Sequence, residues 1–408
     1  MPKTYRFTHQ IQAPAAEVYR ALTNPTALRD WLCDAAESDP RPGGRIYLWW
    51  DSGFYAAGKY TALEPAKKIA YTWNGAREPS PTRVTFKLAE QDGGTRVVLT
   101  HSGIGTGKAW AGMIRAVETD WPGSLENLQS LLETGVDLRF ARRPRLGIFI
   151  GESFNPTLAK KLGVPVNQGI LLEGTMEGTG ARAAGLQKDD VIVKLGGKRA
   201  DDFPSLNHAL AGHRAGDTVK VDFYRGAQKK TVRMELSKRP LPAYPVNGKD
   251  LADAVHKNYA ELNAEYEKLL EGLTDAQAEF RPAPNEWNVK ETLAHFIACE
   301  RDFQSWLAEL VNGGNNAGEV VNSLEYRPNV TERLRGIVER FPSLPALMDE
   351  LKRAEQETLS FLANLPDSFL ARKHLYNRAA GWITEVVPGH FRDEHMGNVR
   401  ALIDQAKS

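Results

Sequence analysis

Two linker-like stretches constrain the fold of this chain more than any other feature of its sequence. The first, Glu133 to Arg145, ends a helical pattern and becomes strongly basic. The second, Leu236 to Asn247, carries three prolines, Pro240, Pro242 and Pro245, which is typical of a semi-rigid connector. These two stretches divide the chain into three segments. The first segment is aromatic-rich and strand-like, the second is rich in glycine and valine, and the third is almost wholly helical. The sequence therefore predicts three domains, at residues 1–137, 143–238 and 248–408.

Composition is that of globular domains and argues against two classes of partner. Hydrophobic residues make up 42% and charged residues 25% of the 408 residues, which is enough to build buried cores. A net charge of +1 gives no long-range attraction to nucleic acid or to an anionic membrane. No apolar run approaches the ~20 residues that span a bilayer, the N-terminus lacks a signal-peptide pattern, and Cys33 and Cys299 lie too far apart to suggest a disulfide framework. We expect a cytoplasmic protein with no nucleic-acid or membrane partner.

The first segment has the pattern of an antiparallel sheet followed by one long helix. Val84, Phe86 and Leu88 alternate with polar residues before the Asp92-Gly93-Gly94 turn, and the run from Arg96 to His101 pairs back. Between Lys108 and Glu133, apolar residues recur at spacings of three and four, which indicates a helix. The expected architecture is a sheet curled around that helix.

Several motifs in this segment carry a family resemblance. They are Ala13-Pro14-Ala15-Ala16-Glu17-Val18-Tyr19, Trp31, Pro42-Gly43-Gly44-Arg45, Gly58, Gly93-Gly94-Thr95 and Trp121. In this order they resemble the SRPBCC (START-like) superfamily, and within it the homologues of the activator of the heat-shock chaperone ATPase. The resemblance implies a helix-grip α+β fold with a hydrophobic cavity that takes a small apolar ligand. The candidate lining residues are Trp31, Trp49, Tyr60, Trp73, Trp110 and Met113. The alternative is that these aromatic side chains simply fill the core.

The second segment carries the densest run of motifs. Arg145-Leu146-Gly147-Ile148, the stretch from Gly180 to Leu186 and the stretch from Lys188 to Lys198 resemble the PDZ domain of bacterial HtrA-type proteases. The resemblance implies a small β-barrel that binds a peptide or protein C-terminus by strand addition, while backbone N–H groups of the Leu-Gly-Ile loop hold the terminal carboxylate. The candidate peptide-binding residues are Leu146, Gly147, Ile148, Leu206 and Leu210. The leucines could equally pack the barrel. No G-x-S-x-G or Gly-Asn-Ser-Gly-Gly run accompanies them, so we do not expect serine-protease activity.

The third segment resembles the DinB superfamily, an all-α four-helix bundle. The resemblance lies in Asn285-Glu286-Trp287-Asn288-Val289, in the helix that carries His295, and in the stretch from Phe391 to Val399. Family members often bind a divalent metal, here expected to be zinc or nickel, through one histidine on the second helix and two spaced i, i+4 on the last.

His295 and His395 match that pattern, and the third ligand departs from it. Residue 391 is phenylalanine, and His390 lies five residues before His395, which leaves the two about 140° apart on an α-helix. They could meet at one ion if the helix starts late or is locally overwound near Pro388-Gly389. Glu300 and Glu394 are candidate substitute ligands. The alternative is a polar core patch of His295 and His395 without a metal.

The leading hypothesis is a non-enzymatic, multi-domain binding protein, because two segments resemble binding folds and no catalytic constellation is recognisable. A second hypothesis is a divalent-metal-dependent transferase or isomerase in the bundle, of the thiol-transferase kind found among relatives. A third is a regulator of a chaperone ATPase, which depends on the resemblance of the first segment alone.

Overall fold

A computed structural model describes residues 2–241, 243–312 and 330–407. Pro242, one of the linker prolines, lies outside the described residues. The chain forms two compact units: Met1–Val136 together with Pro242–Ser408, and Asp137–Leu241. The first and third sequence segments therefore share one unit, and the second segment forms the other.

The first sequence segment is a seven-stranded antiparallel sheet with one long helix packed against it. Its strands, β1 to β7, are Lys3–Ile11, Ala35–Ser38, Arg45–Trp49, Tyr55–Glu64, Lys68–Gly75, Thr82–Gln91 and Gly94–Ile104, in the spatial order β1-β7-β6-β5-β4-β3-β2. The helices are α1 (Ala15–Thr23), α2 (Pro25–Trp31) and α3 (Ala111–Thr134). The predicted hairpin is β6–β7, and both Asp92 and Gly93 at its turn have positive φ, as a two-residue turn of type I′ requires.

Helix α3 buries one face against the sheet. Val117, Trp121, Leu125 and Leu128 lie on that face, at the predicted spacings of three and four. The helix begins at Ala111, after a single 3₁₀ turn, and ends at Gly135, whose φ of 77° gives the left-handed cap that favours glycine. The helix-grip architecture predicted from the sequence is confirmed.

The second unit is a small six-stranded sheet with four short helices. Its strands, β8 to β13, are Ile148–Ile150, Ile170–Thr175, Asp190–Leu195, Lys198–Arg199, Thr218–Arg225 and Gln228–Glu235. Its helices, α4 to α7, are Leu138–Ala141, Pro156–Leu162, Gly180–Ala183 and Phe203–Leu210. The strand order is β13-β12-β10-β9-β8, with β11 paired to β10. Strand β8 is thus an edge of the sheet.

The third sequence segment is helical and builds a bundle from four long helices. Its elements are α8 (Gly248–Leu270), α9 (Asp275–Ala278), α10 (Val289–Val311), α11 (Val330–Arg340), α12 (Leu344–Ala363), α13 (Asp367–Leu370), α14 (Lys373–Gly381), α15 (Val387–Gly389) and α16 (Met396–Lys407). Side chains of Asn247, Asn288 and Ser343 cap the starts of α8, α10 and α12.

The last long helix is continuous from Lys373 to Lys407 but is not α-helical throughout. Two π-helical turns, Trp382–Val386 and His390–His395, separate α14, α15 and α16. The start of this helix contacts the helix-grip segment: Asn377 Nδ2 donates to the Thr134 carbonyl at 3.2 Å, and Arg378 pairs with Asp30.

Within the described ranges, no helix combines the length and the hydropathy that a membrane crossing needs.

Candidate functional site

Three imidazole rings converge between two helices of the bundle. His295 lies on α10, and His390 and His395 lie at the two ends of the second π-helical turn. The Nε2 atom of His390 is 3.0 Å from Nε2 of His295 and 3.0 Å from Nε2 of His395. His295 and His395 are buried and His390 is half-buried. The structure thus brings together all three histidines named from the sequence.

The π-helical turn explains how His390 joins His395. A π turn is wider than an α turn and its hydrogen bonds join residues i and i+5, so side chains five residues apart lie above one another. The helix is therefore locally underwound, whereas the sequence suggested a late start or overwinding. Phe391 instead faces the core, where its ring stacks on Phe296 with centroids 4.0 Å apart.

A carboxylate orients the central imidazole. His390 Nδ1 lies 2.8 Å from Glu394 Oε2, so Nδ1–H donates to the carboxylate and Nε2 is left as the acceptor. Glu394 therefore acts through His390 and is not placed as a substitute ligand. Glu300 lies elsewhere in the core, where its Oε2 accepts hydrogen bonds from Tyr259 and Thr358.

Burial keeps the two inner imidazoles neutral, which is the form that binds a metal. Desolvation, followed by the neighbouring imidazoles, lowers the pKa of His295 to about 3. Desolvation, followed by the charge of His390, lowers the pKa of His395 to about 4. Three imidazoles that point nitrogen atoms at one another suit a shared cation, because Nε2 of His390 offers only a lone pair when Nδ1–H donates to Glu394.

The distances fit a divalent ion. Two metal–nitrogen bonds of about 2.0–2.1 Å at a tetrahedral angle hold their nitrogen atoms about 3.3 Å apart, close to the 3.0 Å separations seen here. Cys299 is a further nearby donor, since its Sγ, Nε2 of His295 and a nitrogen of His390 all lie within 4.8 Å of one another. Its Sγ is 3.5 Å from Nε2 and 3.8 Å from Nδ1 of His295, so the sulfur lies beside the ring rather than beyond Nε2. The ligand atoms within reach of one ion are those of His295, Cys299 and His390, and His395 adds a nitrogen 3.0 Å from Nε2 of His390.

The predicted peptide-binding loop lies at the start of edge strand β8. Gly147 has φ 74°, and an added Cβ would come within 2.3 Å of the Thr179 side chain, so only glycine fits here. The Gly147 carbonyl accepts from Met176 N at 2.8 Å. Among the described residues, the N–H groups of Leu146 and Gly147 donate no hydrogen bond, although both residues are buried.

The four predicted apolar residues of this site divide into two pairs. Leu146 and Leu206 are buried in the core of the unit, whereas Ile148 and Leu210 are half-buried at its edge. The sequence prediction missed Phe149 and Phe203, which are 51% and 59% exposed. The sequence signal for Phe149 was the wholly apolar run Ile148–Ile150. A strand with one buried face needs apolar residues only at alternate positions, so the middle residue of such a run is left exposed.

The predicted cavity residues of the helix-grip segment lie in its core. Trp31, Tyr60, Trp73 and Met113 are buried, whereas Trp49 and Trp110 are half-buried. Trp31 Nε1 donates to the Ala21 carbonyl at 2.8 Å, and Tyr60 OH lies 2.8 Å from Ser38 Oγ. Their polar atoms are thus satisfied within the protein.

A cluster of rings around Trp73 is the most connected part of this core. Trp73 contacts Trp50, His101 and Trp121, with centroids 5.7–6.3 Å apart. Trp121 Nε1 donates to His101 Nδ1 at 3.1 Å, so His101 Nε2–H must donate to Thr82 Oγ1 at 2.8 Å. Burial lowers the pKa of His101 to about 4. Sequence reasoning found no role for this histidine, because its partners come from distant strands and from α3.

Three family models match successive parts of the chain. Residues 12–133 match the Activator of Hsp90 ATPase homolog 1-like protein family, residues 144–236 match the PDZ domain, and residues 259–393 match the DinB superfamily. The three resemblances predicted from the sequence are confirmed, and the chain carries one domain of each kind.

Individual relatives cover single domains. The Serine protease Do-like HtrA of Lactococcus lactis subsp. lactis (strain IL1403) is 36% identical over 100 residues, 24% of this chain and 24% of that protein. The chain thus spans about a quarter of the length of this curated relative. Protein MLL2253 of Mesorhizobium loti is 30% identical with a TM-score of 0.30, and the match covers 32% of this chain and 96% of that one. The Aha1 dimer of Colwellia psychrerythraea is 22% identical with a TM-score of 0.29, covering 32% and 95%.

Proposed function

We propose that this chain is a multi-domain binding protein whose PDZ domain takes the C-terminus of a partner by strand addition to β8. The observation that carries the proposal is that the backbone N–H groups of Leu146 and Gly147, both buried residues, donate no hydrogen bond among the described residues. A buried donor without an acceptor costs about 1–3 kcal/mol, so a terminal carboxylate at this loop would relieve that cost.

The apolar surface beside the loop suits a hydrophobic last residue. Ile148 and Leu210 are half-buried at the edge of one core cluster, and Phe149 and Phe203 are more than half exposed. Edge strands that expose apolar side chains and unpaired main-chain groups favour pairing with another chain. The partner is therefore an extended peptide with an apolar C-terminal side chain.

The test is calorimetric binding of the full chain to two peptides that differ only in the C-terminal group, which is a free carboxylate in one and a carboxamide in the other. A peptide with a free, apolar C-terminus is expected to bind at least about tenfold more tightly than its carboxamide, because the amide cannot accept from both N–H groups as an anion does. Leu210→Glu should abolish binding, and His208→Glu, an exposed position on the same helix, should leave it unchanged. Equal affinity for acid and amide would exclude the proposed mode.

A second proposed function is supported by the three imidazoles of the bundle. His295, His390 and His395 would hold one divalent ion, zinc or nickel, with Glu394 fixing the ring of His390. A bound ion supplies Lewis acidity on its open side, which is what a transferase or isomerase of this class would use. Burial keeps His295 and His395 neutral, Glu394 orients His390, and the ring of Trp287 lies 4.9 Å from the ring of His295.

Elemental analysis of the purified, untagged chain tests this second proposal. About one equivalent of a divalent metal is expected, absent from His295→Ala and retained in His256→Ala, an exposed histidine of the same bundle. A chain that neither carries metal nor takes it up would leave the bundle as a docking module.

The third part of the proposal concerns the helix-grip domain. It would bind a small apolar ligand, and this domain would also give the chain a role as a regulator of a chaperone ATPase. Its support is the ring cluster around Trp73 and the matching family model. An apolar ligand that enters this cluster should quench tryptophan fluorescence and raise the melting temperature of the chain in proportion to its occupancy. A chaperone ATPase rate unchanged by the full chain would contradict the regulatory role.

A further inference from the structure

A strongly cationic cleft in the PDZ unit borders the predicted peptide-binding loop, because Arg145 and Thr179 line it and Thr179 contacts Gly147. Its volume is about 920 Å³, and it lies between α6 and the end of β13 with the residues that follow. Five of its lining residues are cations: Arg145, Arg182, Arg233, Lys238 and Arg239. Two, Glu177 and Glu235, are carboxylates, and no lining residue belongs to β8 or α7. The cleft is therefore distinct from the strand and helix that would hold a peptide.

The cations of this cleft lack close ion-pair partners within the described part of the chain. Within the described residues, no ion pair joins any of the five to a carboxylate. The Arg145 guanidinium instead lies against the Met176 sulfur, and that of Arg239 lies 4.9 Å above the ring of Phe140. The Nε atom of Arg239 is buried without a hydrogen-bond partner.

Some other cations of the same unit do form ion pairs. Arg225 pairs with the buried Asp190 at 2.7 Å, and Arg199 with Asp201 at 2.8 Å. Lys220 also lies near Asp222. Like charges gathered in one concave site repel one another, and the low-dielectric walls of a cleft focus the resulting potential. An anion with several charges removes that repulsion.

We propose that this cleft binds a small multivalent anion, with phosphoryl or carboxylate groups, at a site that shares no residue with β8 or α7. Guanidinium groups present paired N–H donors that match both kinds of oxyanion. The volume lies in the range of small-molecule sites, and a concave site of this size confines a compact ligand better than an extended polyanion.

The experiment is titration calorimetry on the full chain freed of metal, since these ligands also chelate. Inorganic pyrophosphate is the phosphoryl probe and citrate the carboxylate probe. Saturable binding with one site is expected, weakened by added sodium chloride because screening reduces charge attraction. The tighter of the two probes identifies the chemistry of the anion.

Charge reversal locates the site. Arg182→Glu and Arg233→Glu are each expected to raise the dissociation constant by at least about tenfold, since each removes a charge-assisted contact. Lys229→Glu reverses one positive charge on β13 outside the cleft, and it should change the dissociation constant by less than about twofold. Both positions in the cleft are exposed, and circular dichroism melts establish that the variants fold. No saturable binding of either probe, or an equal loss in Lys229→Glu, would overturn the proposal.

Discussion

His390 and His395 are five residues apart in the chain, yet their Nε2 atoms lie 3.0 Å apart at the same point of the bundle. The π-helical turn between them is the cause, because it places residues i and i+5 on one face. Such turns are rare and are frequently found at functional sites, where they place side chains that a regular α-helix would separate. The geometry of the cluster is thus a property of the backbone as much as of the three side chains.

Glu394→Gln should weaken metal binding without removing it. The amide can still accept the hydrogen bond of His390 Nδ1 but no longer offers a negative charge, so we expect about 10–100-fold lower metal affinity. Competition with a chromophoric chelator measures the change. Asp393→Asn is the matched control, since Asp393 is exposed on the same turn, and an equal loss there would contradict the assigned role.

Glu300→Gln should stabilise the chain at pH 8. Burial is the main cause that raises the pKa of Glu300 from 4.5 to about 7, so the folded state holds a proton that the unfolded state releases. This contribution is present below pH 4.5, is lost as pH rises through 7, and leaves a buried anion at pH 8. Glutamine keeps an acceptor for Tyr259 and Thr358 and removes the charge, for a gain of about 1–3 kcal/mol.

Urea unfolding at pH 5 and pH 8 measures this effect. The gain of Glu300→Gln should shrink at pH 5, where Glu300 is already protonated in the fold. Glu309→Gln, an exposed position on the same helix, should change the free energy of unfolding by less than about 0.5 kcal/mol at either pH. A destabilised Glu300→Gln variant at pH 8 would contradict the prediction.

His101 should make the helix-grip domain sensitive to acid. Burial lowers its pKa from 6.5 to about 4, so the unfolded state binds a proton that the folded state does not. Stability contributed by the neutral ring is present above pH 6.5 and falls by about 3 kcal/mol as pH drops to 4. Tryptophan fluorescence reports mainly on this domain, which carries six of the nine tryptophans, and Trp73 and Trp121 contact the ring.

The control for this prediction is the variant His101→Gln. It should be less stable at pH 7, because glutamine cannot restore both hydrogen bonds, but its free energy of unfolding should change less between pH 6.5 and 4. A wild-type chain whose fluorescence-detected stability is the same at both values would contradict the argument.

Asp30 and Arg378 should couple the helix-grip segment to the bundle. The pair joins α2 to α14, and the Asp30 carboxylate is only 10% exposed, so its partner is hard to replace by water. A double-mutant cycle with Asp30→Asn and Arg378→Met should give a coupling energy of about 1–2 kcal/mol.

An exposed ion pair of the bundle is the comparison for this cycle. Lys352 and Glu267 are about half exposed, so Lys352→Met and Glu267→Gln should couple by less than about 1 kcal/mol. A coupling at Asp30 and Arg378 no larger than this one would mean that the buried junction adds no stability.

Features encoded over a few residues were predicted from the sequence. The turn at Asp92 and Gly93 needs only local positive φ, and the helices follow from the spacing of apolar residues. The five-residue spacing of His390 and His395 can be read from the sequence, but whether the helix between them is overwound or underwound cannot. An α turn and a π turn differ only in whether each N–H donates to the carbonyl four or five residues earlier, and no residue type specifies that choice.

Features that join distant parts of the chain could not be predicted. His101 owes its neutral state to Thr82 and Trp121, and Asp30 meets Arg378 from the far end of the sequence. The cationic cleft combines residues near both ends of the PDZ unit, so no single stretch carries its charge.

The two ends of the PDZ unit meet, and this bears on how such a chain can arise. Arg145 N donates to the Ser237 carbonyl at 2.8 Å, and Ser237 N donates to the Arg145 carbonyl at 2.9 Å. The first and last segments of the unit are therefore held side by side at Arg145 and Ser237, one strand spacing apart, about 5 Å. A module closed in this way behaves as an insert. It can be gained, lost or exchanged between the helix-grip and bundle segments without stretching the unit that those segments share.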